Sequence, residues 1–451
     1  MRSNENEFLS QQLHQQAAQI KRLQFILCRY AGLKADLEYK HKSFESSVLS
    51  SASWRLTAPL RAVMSFLKGV KGSSSASKPA QSSSAQNAEL AYCAFASSAR
   101  INVLSPAADN SLALARSLSG LLLSLDIQSD VVPYVAYSLS AVPCIALDPP
   151  ASVTLPPVYV LCHTSGPVDV SLSQSAFAVL ESSASNLALY ESDPSLSRKV
   201  YYLPCADSSE LQFYFLRFLL AHDMLAFDAF YERTKTCFAL SGDRLCLSMP
   251  ESTKRRSSFA AEDPLGFAFF PGIRHRVGWL GCAMSYKYMA KLALDRGITE
   301  LLICEDDVSF SPDFPSHFAS VQAYLASHPG WDVFSGLMAE VDGVSPSQPE
   351  LFEGISFLQL NRMVSMVFNV YNAHALQLLA SWDCSSNDSS HQQIDQYLHS
   401  FPMRVITTSP FLVGHKAGFS STLDGAPNAR YNAMISIANK KLKNCRVSPH
   451  R

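Results

Sequence analysis

The spacing of hydrophobic positions changes several times along this chain, and each change predicts a different kind of element. Near the start, apolar residues recur at close to heptad spacing, at Leu13, Ile20, Leu23, Leu27 and Tyr30. This spacing predicts an amphipathic helix or a short coiled coil within residues 1–70. A helix packed on its own domain and a helix that forms a homo-oligomer both fit the pattern.

Residues 51–72 alternate apolar residues with Arg and Lys around Trp54. A basic amphipathic segment with an aromatic anchor is typical of a helix on an anionic membrane surface, and a helix docked on the next domain also fits. Residues 71–88 are rich in Ser and Ala and too polar to bury a core, which predicts a flexible linker.

Short apolar runs alternate with helix-like stretches in residues 89–208. The runs that predict strands lie at 100–104, 131–134, 158–162, 187–190 and 200–203. The alternation predicts a Rossmann-like α/β layer, and because no GxGxxG motif follows the first run, a dinucleotide site is not supported. His163 follows the third run, where a ligand contact and a structural role are both open. Residues 209–236 are densely apolar and aromatic, which predicts one or two connecting helices.

The sharpest change of pattern lies at residues 301–307, where an apolar run ends in Glu305, Asp306 and Asp307. The run predicts a buried strand, and ligands of open α/β sheets bind beyond the carboxyl ends of strands. Three adjacent carboxylates repel one another unless a cation offsets their charge. Since Mg²⁺ and Mn²⁺ bind carboxylates together with substrate phosphates, we expect a metal–nucleotide site. Strand pleating would turn Asp306 away from the other two acids.

Composition narrows the class of protein. The 451 residues are 47% hydrophobic, which supports several domains, and the 37 basic residues nearly balance the 38 acidic ones, which argues against a nucleic-acid binder. The 11 cysteines include no CxxC pair, as expected for reduced thiols in the cytoplasm. Neither a spanning apolar run nor a secretion signal is evident, so we expect a cytoplasmic protein, with peripheral contact to the inner membrane left open.

Several motifs within residues 237–430 resemble glycosyltransferase family 25, which includes bacterial lipooligosaccharide and collagen galactosyltransferases. They are VGWLGCAMSYKYMAKLAL followed by LLICEDDVSF, LSMPESTKRR upstream, and FNVYNAHALQLLAS and QQIDQYL downstream. The resemblance implies a GT-A-like nucleotide-sugar-binding domain that follows the Rossmann-like layer. It also implies Mn²⁺ or Mg²⁺ and an inverting transfer of a hexose, by family precedent galactose, from a UDP-sugar. Lipopolysaccharide, a surface polysaccharide or another lipid-linked glycan would be the acceptor.

The resemblance and the residue chemistry together nominate site residues. For the metal these are Glu305, Asp306 and Asp307, with His415 as a late ligand that the fold class implies. For the base that accepts the acceptor proton, Asp395 matches the family's aspartate and Asp332 is the alternative. For phosphate and donor contacts the candidates are Arg255, Arg256, Arg274, Ser285 and Arg362, since guanidinium groups match phosphate oxygens. A solvated charge run is the competing interpretation of Arg255 and Arg256.

Two positions depart from the family pattern. Trp279 stands where the family has an acidic residue, and Tyr286 stands where it has His. The alternative function is therefore a catalytically degenerate, glycosyltransferase-like scaffold or binding module. Residues 431–451 are polar and basic, which predicts a C-terminal tail that either covers the domain or meets an anionic surface.

Overall fold

The computed structural model describes residues 83–444 except 206–207, 239, 241, 342–348, 384–392, 423–424 and 426. The chain forms two compact units, residues 1–97 and 98–451. The helical segment predicted for 1–70, including the proposed membrane contact at 51–72, lies outside the described residues. Within the first unit, helix α1 spans Ser83–Ala96. The linker predicted for 71–88 therefore gives way to helix at Ser83, in a stretch that contains Ala but no Gly or Pro.

Six of the described strands form a parallel sheet at the start of the second unit. They are β1 Asn102–Ser105, β2 Val131–Pro133, β3 Cys144–Leu147, β4 Tyr159–His163, β5 Ala178–Glu181 and β6 Val200–Tyr202, in the order β2-β1-β3-β4-β5-β6. The accompanying helices are α2 Asp109–Leu123, α3 Val170–Ser175 and α4 Ala184–Ser192, with a short 3₁₀ turn at Tyr134–Ala136. Strands β3, β4 and β5 are buried throughout, as parallel strands covered on both faces must be.

One predicted strand in this layer is wrong. Residues 187–190 belong to α4, whose first turn is capped by the Ser183 side chain accepting a hydrogen bond from Asn186 N. Leu187 and Tyr190 are three residues apart, so both face the core from one side of the helix. The strand that actually pairs there is β5, directly upstream.

His163 ends β4 inside a buried polar cluster. Its Nδ1 lies 2.9 Å from Glu181 Oε2, and Asn186 Nδ2 donates to the same oxygen at 3.3 Å. Ser183 N donates to Glu181 Oε1 at 2.7 Å. Of the two roles open for His163, this arrangement supports the structural one.

Two helices, α5 Ser208–Ala221 and α6 Phe227–Thr234, occupy the segment predicted to connect the layers. Eight of the described strands then form a mixed second sheet in the order β12-β13-β15-β11-β14-β9-β7-β8. They are β7 Arg244–Ser248, β8 Ala268–Pro271, β9 Glu300–Glu305, β11 Val333–Ser335, β12 Glu350–Phe352, β13 Ile355–Leu360, β14 Phe368–Asn372 and β15 Val405–Thr408. Strands β10 Val308–Ser309 and β16 Gly414–His415 form a separate antiparallel ribbon.

The helices of this part are α7 Thr253–Glu262, α8 Gly278–Asp295, α9 Phe314–Ser327, α10 Ala373–Ser381, α11 Ile394–His399 and α12 Ala429–Asn444. The apolar spacing of residues 281–296, followed by Gly297, predicts a helix that ends at this glycine. Helix α8 does end there, and Gly297 has a φ of 69°. Helix α12 includes residues 431–444 of the predicted basic tail. Helices accompany both sheets, which confirms the α/β class. None of the helices in the described ranges is both long and apolar enough to cross a bilayer.

A buried ion pair connects the two sheets. Arg217, on α5, donates from Nη1 and Nη2 to the two carboxylate oxygens of Glu251 at 2.8 and 2.9 Å. Glu251 follows β7, and its Oε1 also accepts a hydrogen bond from Tyr202 N of β6 at 2.7 Å. Arg217 Nε donates to Gly272 O at 2.7 Å. The helix and both sheets therefore meet at a single charge pair.

Candidate functional site

The acidic stretch lies at the carboxyl end of a central strand, as the sequence predicts. Strand β9 ends at Glu305, and Asp306 and Asp307 form a turn before β10. Because the chain turns there, the alternation of a strand does not continue through these residues. Asp306 and Asp307 both face the same guanidinium group, so the expectation that Asp306 points away from Asp307 is wrong.

That guanidinium belongs to Arg255, on the helix that follows β7. Its Nη2 lies 2.5 Å from Asp306 Oδ1 and 2.7 Å from Asp307 Oδ2. Nε donates to Asp306 Oδ1 at 2.7 Å, and Nη1 donates to Ser420 O at 3.1 Å. Burial lowers the pKa of Arg255, but the neighbouring carboxylates raise it further, so the group stays charged. Arg255 thus binds carboxylates here rather than lying free for a phosphate.

Asp306 has no free oxygen. Its Oδ1 accepts from Arg255, and its Oδ2 accepts from Ser248 Oγ at 2.8 Å. Burial raises the pKa of Asp306 in spite of Arg255. Direct metal binding by Asp306 would break one of these bonds, so its predicted place in the metal shell is not supported by the geometry.

Asp307 is held by residues from the end of the domain. His415 Nε2 lies 3.2 Å from its Oδ2, and Asn428 Nδ2 donates to the same oxygen at 2.8 Å. Lys416 N donates to Asp307 O at 2.7 Å. Although burial raises the pKa of Asp307, the hydrogen bond from His415 and the charge of Arg255 lower it to about 2. For His415, burial lowers the pKa, whereas the bond to Asp307 raises it, and the net shift is upward.

Two carboxylates at this site, those of Asp307 and Glu305, have oxygen atoms to which no described residue donates a hydrogen bond. No described residue donates a hydrogen bond to Asp307 Oδ1, which is buried. Glu305 is partly buried, and burial together with the charge of Asp307 raises its pKa to about 8. A buried hydrogen-bond acceptor without a donor destabilises the fold, and the raised pKa of Glu305 means that its ionised form is poorly stabilised by the protein. This pair is where a cation or a ligand donor would fit.

Helix α8 contains the motif Gly281-Cys282-Ala-Met-Ser285, abbreviated GC-xx-S. Gly281 and Ser285 both have structural roles there. A Cβ on Gly281 would lie 2.4 Å from Ile273 O and 2.9 Å from His275 N, so only glycine lets this loop cross the helix. Ser285 Oγ accepts from Ile273 N at 2.8 Å and donates to Gly281 O at 2.8 Å. Ser285, predicted to contact the donor, instead fixes the same crossing.

The two departures from the family pattern lie in different settings. Tyr286 is fully buried, and its hydroxyl donates to Met366 O at 2.6 Å. It belongs to the core. Trp279 lies in the first turn of α8, and its buried Nε1 donates to no described residue. Trp279 is therefore the one of the two with an unsatisfied polar atom.

The other predicted basic residues do not converge on the acids. Arg256 packs its guanidinium 4.2 Å from the centre of the Phe269 ring. Arg274 donates to Ser197 O at 2.6 Å and to Val200 O, both in the six-stranded layer. Arg362 is exposed and its Nη1 lies 3.3 Å from His399 Nε2. Of the residues predicted to contact the phosphate or the sugar donor, only Arg255 contacts the acidic turn.

Of the two candidate bases, the structure favours Asp395. It lies in the first turn of α11, which packs on α8 and α10, and burial raises its pKa. Burial, and then the charges of Glu305 and Asp395, raise the pKa of the Cys282 thiol, so both carboxylates are within electrostatic reach of this residue.

Asp332 lies near the amino end of β9, whereas the acidic turn lies beyond its carboxyl end. It precedes β11, which runs parallel to β9 because both are antiparallel to β14. Its carboxylate accepts from Arg404 N at 2.7 Å and lies 2.9 Å from His374 Nδ1. Its neighbour in the ladder is Asn372, which pairs with Glu300 at the start of β9. Five steps along the strand, about 16 Å, lead from Glu300 to Glu305, so Asp332 lies too far from the acidic turn to support its role as the base.

The side chains of the acidic turn would supply only some of the ligands that a divalent metal ion needs. Among the described residues, no three His, Cys, Asp or Glu side chains are arranged to hold an ion. Asp307 Oδ1 and the Glu305 carboxylate are the donors that remain. Mg²⁺ and similar ions need only one or two carboxylates when substrate phosphates and water supply the other ligands. The donor set suits that mode and not an all-protein cage.

Sequence reasoning missed Ser248, Asn428 and Lys416. Ser248 is the last residue of β7, and no local feature of the sequence marks it. Asn428 lies 121 residues from the aspartate that it contacts, and nothing local marks it. No family model matches the chain, and no curated protein is significantly similar to it in sequence. The resemblance to glycosyltransferases therefore depends on the motifs alone.

Proposed function

We propose that this protein is a metal-dependent glycosyltransferase with a GT-A fold, which transfers a hexose from a UDP-sugar to a glycan acceptor with inversion. The observation that carries the proposal is the unpaired, buried Asp307 Oδ1 beside Glu305, beyond the carboxyl end of β9. This is the edge at which open α/β sheets bind ligands. The GC-xx-S and EDDV motifs supply the substrate class, with UDP-galactose as the first donor to test.

The chemistry of the transfer assigns a role to each side chain. An acceptor hydroxyl oxygen bonds to the anomeric carbon, while the bond from that carbon to the diphosphate oxygen breaks and leaves its electron pair on the diphosphate. A bound Mn²⁺ or Mg²⁺ would neutralise the leaving charge. Asp307 and Glu305 would hold the ion, and Arg255 would keep Asp307 ionised and oriented. Asp395, with its raised pKa, would accept the hydroxyl proton.

The test measures UDP release from UDP-hexoses by the purified chain with Mn²⁺, with and without glycan acceptors. We expect Asp307→Asn to reduce turnover by at least about a hundredfold, because it removes a charge that acts on the leaving group. Asp313→Asn is the matched control, since Asp313 is an exposed acid that caps no backbone group with its side chain at the start of α9. Wild-type protein that neither binds UDP nor turns over any donor would refute the proposal.

Two observations favour the alternative, a non-catalytic glycosyltransferase-like module. Arg255 Nη2 contacts both Asp306 Oδ1 and Asp307 Oδ2, and Tyr286 packs as a core residue. A thermal-shift screen of UDP-sugars with and without Mn²⁺ separates the two functions, because a ligand at 100 times its Kd stabilises the fold by about 2.7 kcal/mol. A donor-dependent shift without turnover, together with a homo-oligomer formed through the N-terminal segment, would support the module.

A further inference from the structure

We propose that the outer side of helix α12 docks on an anionic phospholipid membrane. Four residues define this surface, Arg430, Met434, Ile437 and Lys441, and we call them the α12 strip. Their spacing of four, three and four residues places them along one side of the helix. The strip therefore presents two adjacent aliphatic side chains between two basic ones.

The opposite side of α12 is anchored to the domain. Ala438 and Leu442 are 1% and 2% exposed, and Asn439 Oδ1 accepts a hydrogen bond from Phe411 N at 3.2 Å. By contrast, Met434 is 41% exposed and Ile437 is 55% exposed. The helix is thus fixed by one side while its apolar strip faces outward.

Charge selects the kind of surface that the strip fits. Helix α12 contains Arg430, Lys440, Lys441 and Lys443, and it contains no Asp or Glu. The chain as a whole has a formal net charge of −1, so this positive charge is local. Basic residues beside exposed aliphatic side chains match the anionic headgroups and acyl boundary of a bilayer.

Docking by α12 would bring the acidic turn close to the bilayer. Asn428, directly before the helix, donates to Asp307 Oδ2 at 2.8 Å, and the ring of Tyr431 lies 5.8 Å from that of His415. The proposal does not depend on the proposed function, since vesicle binding needs neither donor nor acceptor.

The experiment is cosedimentation of the full chain with vesicles of phosphatidylcholine alone or mixed with phosphatidylglycerol. We expect binding to the anionic vesicles only, weakened by salt. Each basic residue near such a surface contributes about a fivefold increase in affinity, so Arg430→Glu/Lys441→Glu should weaken binding by at least about twentyfold. Met434→Ser/Ile437→Ser should weaken it by about tenfold or more, because both aliphatic contacts are lost.

Leu351→Ser is the matched control, because Leu351 is 75% exposed but lies beside Glu350 on another edge of the domain. It should bind vesicles like the wild type. Thermal unfolding of each α12 variant checks that the fold is retained. All variants are repeated with Arg55→Glu/Arg61→Glu, which weakens the other basic amphipathic segment. Equal binding to neutral and anionic vesicles, no vesicle binding at all, or undiminished binding by folded α12 variants in both backgrounds would overturn the proposal.

Discussion

Replacing Arg217 with Met should destabilise the second unit severely. Arg217 is fully buried, and the substitution leaves the Glu251 carboxylate, only 8% exposed, without its counter-charge. It also removes the two charged hydrogen bonds of 2.8 and 2.9 Å and the donor to Gly272 O. Removing one partner of a buried pair costs about 3–5 kcal/mol, since the remaining charge keeps its desolvation penalty. Guanidinium denaturation followed by circular dichroism measures the loss.

The matched control is an ion pair at the surface. Arg100 Nη2 contacts Asp130 Oδ2, but the two side chains are 49% and 59% exposed. Exposed pairs contribute about 0–1 kcal/mol, so Arg100→Met should change the free energy of unfolding by no more than about 1 kcal/mol. Equal losses for Arg217→Met and Arg100→Met would refute the role given to the buried pair.

The pH dependence of the stability lost in Arg217→Met provides a second test. In the wild type, burial raises the pKa of Glu251, but Arg217 lowers it further, and the net shift is downward. A lowered pKa stabilises the fold at neutral pH, and this stabilisation is lost as the pH falls below the unfolded pKa of about 4.5. In Arg217→Met only burial acts, so the pKa of Glu251 should rise and its protonated form should need no counter-charge. The difference in free energy of unfolding between wild type and Arg217→Met should therefore become smaller from pH 7 to pH 4. A difference that stays constant over this range would contradict the role given to Glu251.

Further predictions concern the helix crossing and the acidic turn. Gly281→Ala should lower the free energy of unfolding by about 2–4 kcal/mol, because its Cβ would lie 2.4 Å from Ile273 O. Gly120→Ala is the control, since no atom lies within 4 Å of its Cβ, and it should be neutral or stabilise α2 by up to about 1 kcal/mol. Equal thermal shifts for the two variants would contradict this. Glu305→Gln should become stabilising relative to the wild type as the pH rises. The pKa of Glu305 is raised to about 8, so the wild type loses stability between its unfolded pKa of about 4.5 and pH 8, with a ceiling of about 5 kcal/mol. Melting curves in chelator from pH 5 to pH 9 test this, and a flat difference between the two proteins would exclude it.

The elements that the sequence predicts well are those whose signals are strong and local. Strand β9 combines a buried apolar run with an abrupt acidic end, and α8 combines a long helical pattern with Gly297 at its end. The run at residues 187–190 lacked such support, because four apolar residues fit one turn of a buried helix as well as a short strand. Ser183, the cap that decides between them, lies outside the run.

Sequence reasoning about the site fails where tertiary contacts decide the outcome. Pleating predicts that Asp306 points away from Asp307, but the strand ends one residue earlier and the turn brings both to Arg255. Asn428 and His415 reach Asp307 because the chain returns to β10 through β16. No spacing rule connects residues that meet through a ribbon formed more than a hundred positions later.

Arg255 shows how a correct chemical argument can be satisfied by an unexpected partner. Three adjacent acids do require a cation, and a guanidinium after a strand does suit an anion. The structure meets both requirements at once, because Arg255 binds Asp306 and Asp307 themselves. Arg255 and Ser248 donate to the two oxygens of Asp306, whereas Asp307 Oδ1 accepts no hydrogen bond from a described residue. Under the proposed function, a metal ion on Asp307 Oδ1 would leave the ion pair intact, and Arg255 would act by holding Asp307 ionised and in place.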